Sequence, residues 1–265
     1  MTRSASNRTT AILLAAGQST RMAPPIGEVG GNARGMAAGN AENGETPSTR
    51  KPFLVLEGLT VLEHACDAFH RAPNVIEIVI VAHESDVAHV RNMIGACPAM
   101  QKVRAVVPGG ELRTDSVRAG IQAVGARSDI VAIHDVARPL VEPAAIERAI
   151  AAAVEHGAAL LAVPATDTVK ISSDGAHTES TLDRSVLWCA QTPQVFQLET
   201  FKALLDRAAA DGFRPTDDAA LHEKYRGPVT IVLGDRHNVK LTTPDDLPIA
   251  AAIVRSRAAR GGRRR

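Results

Sequence analysis

The stretch Ala15-Ala16-Gly17-Gln18-Ser19-Thr20-Arg21 follows an apolar run and sets an arginine four positions after a glycine. Ala-Ala-Gly carries no bulky side chain, so its N–H groups can lie against phosphates or a base. Arg21 adds a rigid fork of donors for phosphate oxygens. Together these residues could hold a nucleotide, although a tight turn after a core strand would use the same ones. Neither G-x-x-x-x-G-K-[ST] nor G-x-G-x-x-G follows this run, so the two best-known phosphate loops are absent.

Further clusters have similar chemistry. In Pro108-Gly109-Gly110-Glu111-Leu112-Arg113-Thr114-Asp115-Ser116 two glycines let the backbone approach a flat ligand edge, with Arg113 and Ser116 in reach. The alternative there is a plain β–α turn. His134-Asp135-Val136-Ala137-Arg138-Pro139 closes another apolar run, at the carboxyl end where open parallel sheets bind ligands. A carboxylate beside an arginine suits Mg²⁺ on a phosphate, since Mg²⁺ takes one or two carboxylates and fills its shell with phosphate oxygens and water. An Asp–Arg ion pair ending the strand would look the same. Gln191-Thr192-Pro193-Gln194, Thr216-Asp217-Asp218-Ala219 and Asn238-Val239-Lys240-Leu241 complete the set. Taken singly, the second reads as a helix cap and Lys240 as a solvated lysine.

Positioning these residues takes a sheet. Apolar runs at 11–16, 75–82, 103–107, 129–133, 158–163 and 228–233 alternate with helical patterns at 60–71, from Ser85 to Ile94, from Thr114 to Val124 and from Pro143. Continuous β-branched runs between helices predict a mainly parallel sheet covered on both faces, an α/β three-layer architecture. Thr243-Pro244-Asp245-Asp246 predicts the start of a last helix. Two segments break the rhythm. Residues 23–50 hold six glycines, three asparagines and three prolines, too little apolar surface to offset ordering, so they read as a flexible insertion or a lid. From about 166 to 188, alternation around Ser173-Asp174-Gly175 predicts a two-stranded ribbon, which needs a surface to pack on. That surface is either a second subunit or its own domain.

The chain has 265 residues, 45% of them hydrophobic and only 3% aromatic, so its core must be built from Ala, Val, Leu and Ile. A single domain over 11–254 is expected, between a disordered tail at 1–10 and a basic disordered tail at 255–265. The latter has six arginines and no acid. A net charge of +1 gives no sign of a nucleic-acid binder. No apolar stretch reaches the ~20 residues needed to span a bilayer. Cys66, Cys97 and Cys189 show no C-x-x-C spacing, and no H-E-x-x-H occurs. This argues for a reducing compartment and against a zinc site, and a cytoplasmic protein is expected.

In this order the motifs Ala-Ala-Gly-x-x-x-Arg, Lys51, Gly-Gly-x-x-Arg-x-x-Ser-Val, His-Asp-x-Ala-Arg-Pro, Thr-Pro-Gln and Asn-x-Lys resemble one family. It is the 2-C-methyl-D-erythritol 4-phosphate cytidylyltransferases of the non-mevalonate isoprenoid route, and the likeness covers about residues 11 to 254. The resemblance implies a Rossmann-like nucleotidyltransferase fold and a homodimer whose projecting β-arm reaches the partner's site. It implies that Ala15, Ala16, Gly17, Gly109, Gly110, Ser116 and Ala137 embrace CTP. Arg21 and Lys51 would hold the triphosphate, and Asp135 would lie near Mg²⁺ and the substrates. Arg184 from the partner's arm, with Lys240, Thr192, Thr216 and Arg138, would position the methylerythritol phosphate. Such relatives place the lysine about seven residues after the arginine. Here thirty separate Arg21 from Lys51 because of the insertion, and register with Phe53-Leu54-Val55-Leu56 favours Lys51 over Arg50.

The chemistry implied is attack by the substrate phosphate on the CTP α-phosphate. It asks for positioning and charge rather than a side-chain nucleophile. A ribitol 5-phosphate cytidylyltransferase would share the nucleotide site. A sugar-nucleotide pyrophosphorylase would share Arg21 and Lys51-Pro52 but not His-Asp-x-Ala-Arg-Pro or Asn-x-Lys. A non-catalytic nucleotide sensor would bind CTP and release no pyrophosphate.

Overall fold

The computed structural model describes residues 8–17 and 50–262. Arg21 and most of the 23–50 insertion lie outside the described residues. In chain order the strands and helices are β1 (Thr9–Ala15), β2 (Val55–Leu56), β3 (Leu59–Thr60), α1 (Val61–His70), β4 (Val75–Ala82), α2 (Val87–Ile94), β5 (Val103–Pro108), α3 (Arg113–Gln122) and β6 (Ile130–Asp135). They continue with α4 (Pro143–His156), β7 (Ala158–Pro164), β8 (Lys170–Ile171), β9 (Ser180–Thr181), β10 (Trp188–Gln197), α5 (Leu198–Ala210), α6 (Ala219–Tyr225), β11 (Thr230–Leu233) and α7 (Asp246–Gly262).

Seven strands form one sheet in the order β11-β7-β10-β6-β1-β4-β5. Its pairings are parallel except along β10, which runs antiparallel to both β6 and β7. The expected mainly parallel α/β sheet is therefore present, with one reversed strand. Alternation along β1 splits the interior in two. Ala11, Leu13 and Ala15 join the α1 and α4 side, while Ile12 joins Val117, Phe201 and Leu204 on the α3 and α5 side. Both faces are covered, as a buried parallel sheet requires.

Three boundaries differ from the expectation. The first strand begins at Thr9, two residues early, because the N–H of Thr9 donates to the Asn74 carbonyl at 3.0 Å. Ser85 does not cap α2; it lies in a 3₁₀ turn over Glu84–Asp86, where the His83 ring accepts from the Ser85 N–H. The basic run from 255 is helix through Gly262, not disordered tail. Two of its arginines have partners: Arg255 meets Glu57 at 2.6 Å, and Arg257 meets Glu142 at 3.1 Å and Asp235 at 3.4 Å. Alanines at 250–252 and 258–259 favour helix as well.

The ribbon is present as β8 and β9 in antiparallel register, with Gly175 at φ +70° in the turn. It stands off the sheet. Val169, Ile171, Leu182, Val186 and Trp188 along it and at its base are all exposed.

Candidate active site

The carboxyl ends of β1, β4, β5 and β6 open onto a cavity of about 590 Å³. Its wall begins at β1, where the chain emerges as Ala15, Ala16 and Gly17. Gly109 and Gly110 come from the β5–α3 loop beside it. The two loops touch: a Cβ on Gly109 would sit 2.5 Å from the Ala16 Cβ and 2.7 Å from Ser116 Oγ. Only glycine lets that loop close onto the first strand. The Gly109 N–H donates to the Ala82 carbonyl at 2.8 Å, and Ser116 Oγ accepts from Gly110 N–H at 3.2 Å. The Asp115 carboxylate caps α3 by accepting from Leu112 N–H at 3.1 Å.

Asp135 ends β6 and is the centre of the charge pattern. Its Oδ2 lies 2.7 Å from Lys240 Nζ and its Oδ1 3.3 Å from the Arg113 guanidinium. The same guanidinium reaches buried Asp218 at 2.7 Å. Burial alone would raise the Asp135 carboxyl, but Arg113 and Lys240 overcome it and hold the group down at about 2. Burial likewise works against the Arg113 charge, and the two carboxylates more than offset it, so Arg113 stays cationic. Lys51 Nζ donates to the Leu241 carbonyl at 2.6 Å. This brings the start of the Lys51-Pro52-Phe53 turn against the Lys240 segment.

Of the residues predicted for the site, Ala15, Ala16, Gly17, Gly109, Gly110 and Ser116 line the cavity. So do Lys51, Asp135, Ala137 and Lys240. Four predicted residues are elsewhere. Arg138 spends its terminal nitrogens on the Asn238 carbonyl at 2.9 Å and the Ala190 carbonyl at 3.2 Å, so here it ties β10 to the Lys240 segment. Thr192 is buried behind Asp135, with its Oγ accepting from the Asp135 N–H at 3.1 Å. Thr216 is exposed ahead of α6. Arg184 stands on the exposed ribbon, donating to the Thr166 carbonyl at 2.8 Å. Asp218, the buried anchor of Arg113, was not predicted. Two adjacent acids stand in Thr216-Asp217-Asp218, and the sequence does not say which one turns inward.

The donor set also bears on a metal. Among the described residues no three His, Cys, Asp or Glu side chains cluster to hold an ion. Asp135 is the least exposed of the carboxylates that line the cavity. A single carboxylate suits Mg²⁺ only where other oxygens complete its shell, since Mg²⁺ commonly takes one or two carboxylates with phosphate oxygens and water.

The sequence model of the 2-C-methyl-D-erythritol 4-phosphate cytidylyltransferase family matches residues 36–256. A member from Syntrophus aciditrophicus is 40% identical over 224 residues, covering 84% of this chain and 95% of its own. The chain belongs to this family. Membership makes it a nucleotidyltransferase. Another member, from Syntrophotalea carbinolica, is 42% identical over 208 residues, 78% of this chain and 89% of that one. In three dimensions the chain is similar to a 4-diphosphocytidyl-2C-methyl-D-erythritol synthase from Anaerococcus prevotii, with TM-score 0.74 and 26% identity over 93% of this chain and 96% of that one. The 2-C-methyl-D-erythritol 4-phosphate cytidylyltransferase of Thermus thermophilus aligns with TM-score 0.68 and 26% identity, over 92% and 98%. Among the described residues no helix is long and apolar enough to cross a membrane.

Proposed function

We propose that this enzyme transfers CMP from CTP to 2-C-methyl-D-erythritol 4-phosphate, releasing pyrophosphate. One observation carries the reading: a cavity walled by two small-residue loops and by Lys51, Arg113 and Lys240, with one strongly ionised carboxylate among the cations. Backbone N–H groups at 15–17 and 109–110 would cradle the nucleotide, and Lys51, with Arg21 by motif, would hold the triphosphate. An oxygen of the acceptor phosphate attacks the α-phosphorus. A new P–O bond forms there as the bond to the bridging oxygen breaks, and pyrophosphate leaves with the electron pair. The side chains contribute position and charge, with no proton transfer needed at a catalytic base. Mg²⁺ would be held by Asp135 and the phosphates, exchanging for one of that carboxylate's cationic contacts, and would neutralise charge on the phosphates.

The exposed ribbon supports a homodimer with exchanged arms. A two-stranded hairpin is marginal alone, and this one leaves five apolar side chains uncovered along its length. Arg184 and Thr216 would then meet the acceptor phosphate across the interface. The three free thiols and a nucleotide substrate support a reducing, cytoplasmic setting.

Pyrophosphate release from CTP with methylerythritol phosphate and ribitol 5-phosphate in parallel tests the assignment. Turnover with the first acceptor and at most trace turnover with the second is expected. The reverse preference would reassign the acceptor, and CTP binding without pyrophosphate release would make the chain a sensor.

A further inference from the structure

Lys51 lines the cavity, and its neighbour Arg50 does not. The Arg50 guanidinium instead donates to Asp86 Oδ2 at 3.0 Å. Asp86 is buried, only 6% exposed, at the end of the 3₁₀ turn between β4 and α2. An aspartate just before a helix ordinarily caps it by accepting from the first N–H groups. Asp86 makes no such bond to α2. Its other oxygen accepts from Ser85 Oγ at 3.3 Å, within the same turn. A buried carboxylate needs a partner, and Arg50 is the cationic one.

This pair sets where the lysine starts. The Arg50 carbonyl accepts from Phe53 N–H at 3.0 Å and the Lys51 carbonyl from Leu54 N–H at 3.3 Å, so residues 50–53 form one turn. Pro52 is buried, and the Phe53 ring meets His89 of α2 edge-on at 4.9 Å. The turn is thus fastened at both ends to the β4–α2 region, with the lysine between. His83 and Glu84 of that same link wall the cavity. One link therefore carries the footing of the lysine and part of the wall it reaches across.

We infer that Arg50 is a positioning residue: its ion pair with Asp86 fixes the backbone from which Lys51 reaches the nucleotide phosphates, and Arg50 itself touches no substrate. This rests on the transferase reading above. It divides the Arg50-Lys51 pair into a strut and a reaching charge.

Titration calorimetry of CTP into the full chain tests it as a double-mutant cycle. Arg50→Met should weaken CTP about ten-fold. Asp86→Ala should do about the same, and the two together no more than either alone. On a Lys51→Ala background, Arg50→Met should add less than about two-fold, because its effect passes through the lysine. Arg50→Lys keeps a charge for Asp86 and should stay within about three-fold of wild type. Losses that multiply on the Lys51→Ala background would overturn the strut, because Arg50 would then meet the phosphates itself. So would an Asp86→Ala chain that binds CTP as wild type does, or an Arg50→Met chain with undiminished binding. If Arg50→Met strands the Asp86 carboxylate and melts far below wild type, Arg50→Met with Asp86→Ala leaves no unpaired charge and carries the same comparison with and without Lys51→Ala. A wild type that binds CTP and releases no pyrophosphate would overturn the transferase reading alone, with the binding cycle still deciding the strut.

Discussion

At the scale of single residues, the site is built on one arginine that serves two carboxylates. Arg113 extends a fork of donors, and both Asp135 and the buried Asp218 lie on its terminal nitrogen. Removing the fork would strand Asp218 as a buried, unpaired charge, which costs about 3–5 kcal/mol in comparable pairs. Arg113→Ala should lose stability on that scale in urea unfolding, and Asp218→Asn on top of it should recover part of the loss. A loss under about 1 kcal/mol would mean that Asp218 is neutral or has another partner. The sequence announces Arg113 through its place after two glycines. It does not announce Asp218, because hydropathy treats both acids of the Asp217-Asp218 pair alike, and only the folded setting sends Asp217 to Gln194 of β10 and Asp218 inward to Arg113.

Among elements, loop-to-loop contact is the controlling feature. The glycine at 109 lets the β5–α3 loop rest on Ala16, and a methyl there collides with Ala16 and Ser116. Gly109→Ala should therefore fold and raise the KM for CTP by about ten-fold or more, since both nucleotide loops must part. An unchanged KM would show that the loops do not bear on the nucleotide. The last helix adds a second dependence. Asp246 in its first turn accepts from the N–H groups of Thr242 and Thr243 at 2.7 and 2.8 Å. Burial tends to raise this carboxyl, but those N–H groups and the Lys51 charge outweigh it and hold it below the usual range. A depressed carboxyl stabilises the fold above its unfolded pKa, near 4, and the stabilisation is lost as pH falls further. Asp246→Asn should cost about 1 kcal/mol at pH 7 and progressively less below about pH 4. An equal cost at pH 7 and pH 3 would show that the charge is not needed. Strands β1, β4, β6 and β7 were legible from their continuous apolar runs. Strand β10 was not: Cys189-Ala190-Gln191-Thr192-Pro193-Gln194 mixes polar residues with a proline and has no period-two pattern. It sits in the sheet because its polar groups are satisfied one by one, Gln191 by the Asp235 carbonyl and Gln194 by Asp217. Helix α5 was not among the expected elements, although its Leu198, Phe201, Leu204, Leu205 and Ala208 recur at helical spacing and are all buried.

For the whole molecule, the ribbon decides whether a site belongs to one chain or two. Arg184 bonds only to its own ribbon among the described residues and stands clear of the cavity. Arg184→Ala and Lys51→Ala homodimers should each be nearly inactive, by about 10²–10³ in rate as for lost charge-stabilising donors. Mixing them should restore part of the activity, because a heterodimer then keeps one complete site. Heterodimers that form and stay inactive would place Arg184 in its own chain's chemistry. The reversed strand has a consequence of its own. Trp188 begins β10 at the foot of the ribbon, and Thr192 lies four residues further on, against Asp135. One strand, regular from Trp188 to Ala190 and bulged before Gln194, thus links the place where a second copy would grip to the place where charge is aimed. A fluorophore on the ribbon would be a usable gauge of events at the carboxylate, without any label entering the cavity.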